Sequence, residues 1–187
     1  MPSAPYLETQ RLRLRRFCAG EADLLIELDS DPDVMRYISG GAPSDPDRIR
    51  SVTLPRILAW YDRGDRYGLW AAELKAGGEF AGWFHFWPAK REPHDVEVGY
   101  RLKKTFWGRG LATEGTVALI RRGFDEYGLQ RVVARTLREN VASRRVLEKA
   151  GMTYLPEADY FEDLHAGSPP GVWYEIRKDP VSAPGRA

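Results

Sequence analysis

Hydrophobic and polar residues alternate through Arg11–Phe17, where Leu12 and Leu14 stand between arginines, and that period of two predicts a half-buried strand. The period then lengthens. Glu21–Asp29 carries Leu24, Leu25 and Leu28 at helical spacing, which predicts a short helix with those leucines inward. Asp31-Pro32 reads as a helix cap followed by proline at the first helical position. Ser44 with Asp47 resembles an acidic capping box opening a helix toward Asp62, and Pro55 inside that helix should kink or split it.

Three strands are expected next. Tyr67–Leu74 and Glu79–Trp87 flank the glycine-bearing turn Lys75–Gly78, and Asp95–Leu102 follows. A glycine turn at Trp107–Gly110 leads into a helix to about Tyr127, with Val117, Ile120, Phe124 and Tyr127 on its apolar side and Gly128 as its stop. Arg131–Leu137 predicts a strand, and Asn140–Ala150 a helix closed by Gly151. Met152–Phe161 and Val172–Arg177 predict two last strands. The order is α/β (α+β): a mixed, mostly antiparallel central sheet of about seven strands flanked by about four helices. The meander is antiparallel because its turns are short, while the helix between Leu102 and Arg131 permits a parallel crossover. Without repeat or linker, residues 1–187 read as a single domain with its core over about 7–178 and a frayed tail at 179–187.

Composition narrows the setting. Of 187 residues, 43% are hydrophobic and 29% charged, the balance of a folded domain. No apolar run approaches the roughly 18–20 residues that cross a bilayer, and the first residues lack an apolar signal core, so a cytoplasmic protein without a membrane partner is expected. The single Cys18 makes no internal disulfide, and no histidine motif accompanies it as a nucleophile. Three scattered histidines, His85, His94 and His165, suggest no metal site. The net charge of +1 conceals an asymmetry: eight acids face one base between Glu21 and Asp47, whereas Arg101–Gly151 holds twelve bases and five acids. These are either solvated faces or, on a sharper reading, a basic half that meets a polyanion and an acidic half that attracts a cationic amine.

Two segments carry chemistry. Val96–Leu102 runs into Phe106-Trp107-Gly108-Arg109-Gly110-Leu111-Ala112-Thr113-Glu114, a strand, a tight turn and a helix start. Such a turn presents unpaired N–H groups and the positive end of a helix dipole to one point, Gly108 and Gly110 allow an anion near the backbone, and Arg109 adds charge. Gly-x-Gly before a helix is also plain turn chemistry, and the segment matches neither the phosphate loop of nucleotide hydrolases nor a dinucleotide fingerprint. Further on, Asn140-Val141-Ala142-Ser143-Arg144-Arg145-Val146-Leu147-Glu148-Lys149-Ala150-Gly151-Met152 opens with a capping asparagine and sets Asn140, Ser143, Arg144 and Leu147 on one helical face.

Together these segments resemble the GNAT acetyltransferases, and they are especially similar to the branch of the ribosomal-protein N-terminal acetyltransferases. Leu7-Glu8-Thr9-Gln10-Arg11-Leu12-Arg13-Leu14-Arg15 and Glu97-Val98-Gly99-Tyr100 also match that branch, so the resemblance spans about residues 7 to 178. It implies acetyl-CoA as cosubstrate and no metal. Val98, Gly99, Tyr100, Arg101 and Leu102 would bind the pantetheine arm along the strand. Trp107, Gly108, Arg109, Gly110, Leu111 and Ala112 would hold the diphosphate. Asn140 would reach the pantetheine near the thioester, and Arg144 would lie beside the cofactor. Many members carry a tyrosine general acid where this chain has Leu147, and the branch points instead to Ser143.

Acyl transfer to an amine requires a neutral nucleophile, a stabilised oxyanion and a protonated leaving thiol. Glu97 is the first candidate base, acting through water, with a cross-strand ion pair as its structural alternative. His85 competes; it alternates with Trp83 and Trp87 onto one strand face, where a packed histidine is the alternative. Backbone N–H groups around Val98–Tyr100 are the expected oxyanion donors. Ser143 would protonate the sulfur. Tyr37, Trp60, Trp83 and Trp87 are candidate linings of an acceptor groove or simply core. Acceptors consistent with this reading are peptide N-termini, small-molecule amines and aminoglycosides; a non-catalytic CoA-binding module is the alternative of another class. Nucleic acid is not expected as a partner, and monomer and homodimer both remain open.

Overall fold

The computed structural model describes residues 5–89, 95–156 and 171–178. Among the described residues, eight strands form one sheet in the order β1-β2-β3-β4-β5-β6-β8-β7. They are β1 (Leu7–Glu8), β2 (Leu12–Arg15), β3 (Gly68–Leu74), β4 (Phe80–Pro88), β5 (Val96–Leu102), β6 (Arg131–Leu137), β7 (Thr153–Leu155) and β8 (Gly171–Arg177). Every neighbouring pair is antiparallel except β5–β6, which is parallel. The expected seven strands become eight because Leu7–Glu8 folds back on Arg13–Leu14 as a short strand of its own. The last strand pair is seen as Thr153–Leu155 and Gly171–Arg177, and the remainder of the segment expected to run to Phe161 lies outside the described residues.

Helices α1 (Ala22–Ser30), α2 (Pro32–Ser39), α3 (Pro46–Arg48) and α4 (Leu54–Tyr61) come before β3; α5 (Leu111–Asp125) and α6 (Val141–Lys149) follow β5 and β6. Asp31 caps α2 through its side chain, which accepts from the Asp33 N–H, with Pro32 at the first helical position as expected. The expected cap at Ser44 is shifted by one residue. Asp45 accepts from the Asp47 N–H, while the Ser44 hydroxyl donates to Asp29 at 2.8 Å. Pro55 does split its helix: a π turn over Ile49–Thr53, closed by the Leu54 N–H on the Ile49 carbonyl, joins α3 to α4. The wider turn carries the chain past a residue that lacks its own donor.

The strands divide the interior by alternation. Phe84, Phe86, Val96, Val98 and Leu102 are buried on the face covered by α5 and α6. On the other face Trp87 meets Trp60 of α4 edge to face, 5.0 Å between ring centroids. α5 buries Leu111, Gly115, Thr116, Leu119, Ile120 and Gly123 fully, while Val117, Phe124 and Tyr127 of the expected stripe pack half-buried against the same core. Glycine decides this. A Cβ at Gly115 would stand 2.3 Å from the Phe84 ring, so the helix rests directly on that ring.

Candidate functional site

β5 and β6 separate soon after they meet. Their parallel register pairs Val96 with Val132 and Glu97 with Val133, and no pairs follow along Val98–Leu102. β4 stays paired with all of β5, and β8 with all of β6, so the sheet opens at its centre. Each diverging strand leads to a helix, α5 after β5 and α6 after β6. Tyr100 of β5 and Ser143 of α6 meet across the opening, the Tyr100 hydroxyl lying 3.3 Å from Ser143 Oγ. Burial pushes the Tyr100 phenol up to about 12, against the opposing pull of the Ser143 hydrogen bond, so it remains protonated at neutral pH.

The two helix starts differ. Asn140 caps α6, its side-chain oxygen accepting from the Ser143 N–H at 3.1 Å. α5 has no side-chain cap; its N-cap position is Gly110, at φ +76°, and Gly108 is also left-handed at φ +72°. Both conformations strain a residue that has a Cβ. A Cβ at Gly108 would meet nothing within 4 Å, so an approach to this turn is open. Uncapped N–H groups on an open glycine turn at the start of a four-turn helix fit a diphosphate. Trp107 is half exposed, and its indole N–H donates to the Leu102 carbonyl at 2.8 Å, fastening the turn to the end of β5. Arg109 lies over the Phe106 ring.

Glu97 and His85 occupy the other face of the sheet. Gly99 pairs with His85 and Glu97 with Trp87 across β4–β5. Glu97 lies 3.5 Å from the Arg135 guanidinium of β6. His85 is enclosed between Trp83 and Trp87, and a Cβ on Gly99 would fall 2.6 Å from its Cε1, so this glycine makes the room the imidazole fills. Among the described residues, nothing hydrogen-bonds the buried Nε2 of His85. Burial, reinforced by the positive charges of Arg101 and Arg135, pushes the imidazole down to about 3. It is neutral at physiological pH and a weak proton acceptor. Ser143 and the pair Glu97/His85 therefore approach the opening from opposite faces.

Arg101 and Arg144 are engaged by the protein itself. Arg101 pairs with Asp29 of α1 and lies over Trp83. Arg144 donates from Nε to the Tyr174 hydroxyl at 3.1 Å, and that hydroxyl donates to Glu148 at 3.0 Å. The charge asymmetry of the sequence resolves largely into internal pairing. Lys103 meets Glu27 and Lys104 meets Asp33, so with Arg101–Asp29 the basic end of β5 is joined to the acidic α1–α2 hairpin. Two surface hollows of about 640 and 550 Å³ lie beside β8 and between β1 and α5, the second lined in part by Thr9 and Glu114. Among the described residues no group of three His, Cys, Asp or Glu could hold a metal, and no helix is long and apolar enough to cross a membrane. His94 and His165 lie outside the described residues.

Three residues with evident structural work at this site escaped the residue-level reading. Glu114 in the first turn of α5 accepts from the Thr9 hydroxyl at 2.5 Å, the Arg11 N–H at 2.8 Å and Arg11 Nε at 2.7 Å. The signal available was the joint presence of the Leu7–Arg15 and Trp107–Glu114 segments, which spacing alone does not connect.

Residues 11–153 match the family described as "Acetyltransferase (GNAT) domain". An Aspergillus fumigatus protein named FsC-acetyl coenzyme A-N(2)-transacetylase is 31% identical over 176 residues, covering 90% of this chain and 72% of that protein. YkkB of Bacillus subtilis is 38% identical over 155 residues, 79% of this chain and 85% of that one. Among solved structures, an acetyltransferase from Agrobacterium tumefaciens aligns with a TM-score of 0.75 at 25% identity, over 94% of this chain and 96% of its own. RimL, a ribosomal L7/L12 α-N-protein acetyltransferase in complex with coenzyme A, shares the fold with a TM-score of 0.76 at 18% identity, over 94% and 99%. The opened sheet, the uncapped glycine turn and the Asn140-capped helix thus stand in a chain that belongs to the GNAT acetyltransferase family.

Proposed function

We propose that this enzyme transfers the acetyl group of acetyl-CoA to an amine of near-neutral pKa, with a protein N-terminal α-amine as the acceptor that suits the site best. Acetyl-CoA-dependent N-acetylation is the chemistry of the family. The finer reading is carried by the groups available to take a proton. His85 is packed between Trp83 and Trp87, whereas the Glu97 carboxylate sits at the last β5–β6 pair before the sheet opens, and it is taken as the base. At pH 7.4 roughly a quarter of an α-amine is already neutral, against about one lysine in a thousand. A carboxylate working through water serves the first far better than the second.

In this reading the amine nitrogen attacks the thioester carbonyl carbon and gives up a proton to Glu97 through water. The oxyanion is received by N–H groups around Val98–Tyr100, where β5 has left β6. As the carbon–sulfur bond breaks, Ser143 donates a hydrogen bond to the departing sulfur while the protonated Tyr100 hydroxyl donates to Ser143 Oγ, and the thiolate takes its proton from water. The Trp107–Ala112 turn holds the diphosphate, the freed edge of β5 the pantetheine arm, and Asn140 keeps its amide N–H₂ for the thioester end while its oxygen caps α6.

A small-molecule amine is the second reading, favoured by the named activity of the A. fumigatus relative. Thiol release from acetyl-CoA separates the two. Peptides with a free α-amine should be used with a kcat/KM well above that of the same peptides Nα-blocked and carrying an internal lysine. Equal use of the blocked lysine peptides refutes the α-amine assignment, and turnover restricted to small amines moves it to the second reading.

A further inference from the structure

We propose that Arg11 is a positioning residue for the diphosphate turn, linking its carbonyl backbone to the helix that follows. This rests on the reading that the Trp107–Ala112 turn holds the diphosphate of CoA. Arg11 lies at the β1–β2 turn, about a hundred positions before the loop it serves. Its guanidinium makes two bonds at once: Nε donates to Glu114 Oε2 at 2.7 Å, and Nη1 donates to the Arg109 carbonyl at 2.8 Å. Nη2 lies 3.5 Å from where a Cβ on Gly110 would project, so the same group also backs the second glycine of the turn.

Two physical needs are met by this arrangement. A turn built on two left-handed glycines has few conformational restraints of its own, since glycine is the residue with most freedom to lose. Arg11 spans that turn from Arg109 to Glu114, and only a planar fork reaches both acceptors together. The second need is electrostatic. Glu114 is an acid in the first turn of α5, on the end of the helix where an anion would be received. The Thr9 hydroxyl, the Arg11 N–H and the Arg11 guanidinium occupy its oxygens and offset its charge. Burial pushes the Glu114 carboxyl up, and those three partners outweigh it and hold it below the usual range. The carboxylate is thus directed toward the β1–β2 turn.

The test compares CoA with pantetheine, which has the thiol arm and no diphosphate, by NMR titration of the wild type, Arg11→Ala and Arg11→Lys. Loss of a charged two-acceptor bridge should raise the Kd for CoA about tenfold to a hundredfold in Arg11→Ala, while the Kd for pantetheine changes by less than about twofold. Arg11→Lys, which keeps the aliphatic stem and the charge, folds with the least disturbance and should lose nearly as much CoA affinity, because a point charge cannot span both acceptors. Equal losses for CoA and pantetheine would reduce Arg11 to a general structural role and overturn the inference. Full recovery by Arg11→Lys would overturn it as well. Wild-type protein that binds CoA without shifting the Gly108 and Gly110 amides would instead refute the placement of the diphosphate.

Discussion

Replacing His85 by leucine tests the electrostatics of the sheet face that carries Glu97 through stability alone. His85 titrates at about 6.5 in the unfolded chain and at about 3 in the folded one, where burial and the charges of Arg101 and Arg135 oppose its protonation. Between those two values the unfolded state binds more protons than the folded state, so stability falls as the pH falls from 6.5 toward 3 and levels off below. The slope is about 1.4 kcal/mol per pH unit, which gives about 2 kcal/mol between pH 7.5 and 5.0 from this residue. His85→Leu removes the titration, and it also removes a buried Nε2 that has no partner among the described residues. Urea unfolding of both proteins at a series of pH values isolates the contribution, because the other titrating groups are common to both. The wild type should lose about 2 kcal/mol more than the variant over that interval. Parallel curves would mean that His85 takes a proton in the folded state, and would restore it as a candidate base.

Three further outcomes follow from the same geometry. Glu97→Gln should lower kcat by about 10²–10⁴-fold with the Kd for acetyl-CoA little changed, and the loss should shrink at high pH where more of the amine is neutral; a pH-independent loss would point to Arg135 pairing as its role. Gly110→Asp places a carboxylate on a left-handed residue at an uncapped helix start, and calorimetry should show CoA affinity falling far more than the melting temperature, unchanged affinity in a folded variant being the contrary result. Asn140→Ala should cost about 1 kcal/mol of stability through the lost cap and should also weaken CoA, whereas Asn140→Asp should keep the cap while losing the amide donors; equal CoA affinity for all three proteins would limit Asn140 to capping.

Much of the chain is legible without coordinates because its information is local. The alternation of Leu12 and Leu14, of Trp83, His85 and Trp87, and of Val96, Val98 and Leu102 reports strands whose two faces differ, and Arg131–Leu137 matches the observed β6 residue for residue. Asp31-Pro32 and Asn140 name their own helix starts, because a cap is a bond within three residues of chain. The family segments likewise mark the glycine turn and the start of the Asn140 helix. Tertiary structure decided the rest. Whether β5 and β6 stay paired depends on the lengths and directions of elements far apart in sequence, and the opening between them has no local signature. The inward face of α5 is set by Gly115 and Gly123, residues that hydrophobic periodicity scores as blank but that are the points where the helix approaches Phe84 and Phe86 most closely. The acid-rich and base-rich stretches read as solvated faces or as surfaces for two ligands; folding turns Asp29, Glu27 and Asp33 toward Arg101, Lys103 and Lys104, since opposite charges brought within a few ångströms exchange water for each other. Composition likewise cannot give His85 its low pKa or Arg11 its two acceptors. His85 depends on Gly99, Arg101 and Arg135 across the sheet, and Arg11 on acceptors about a hundred positions away, and both are fixed only when separate elements pack together.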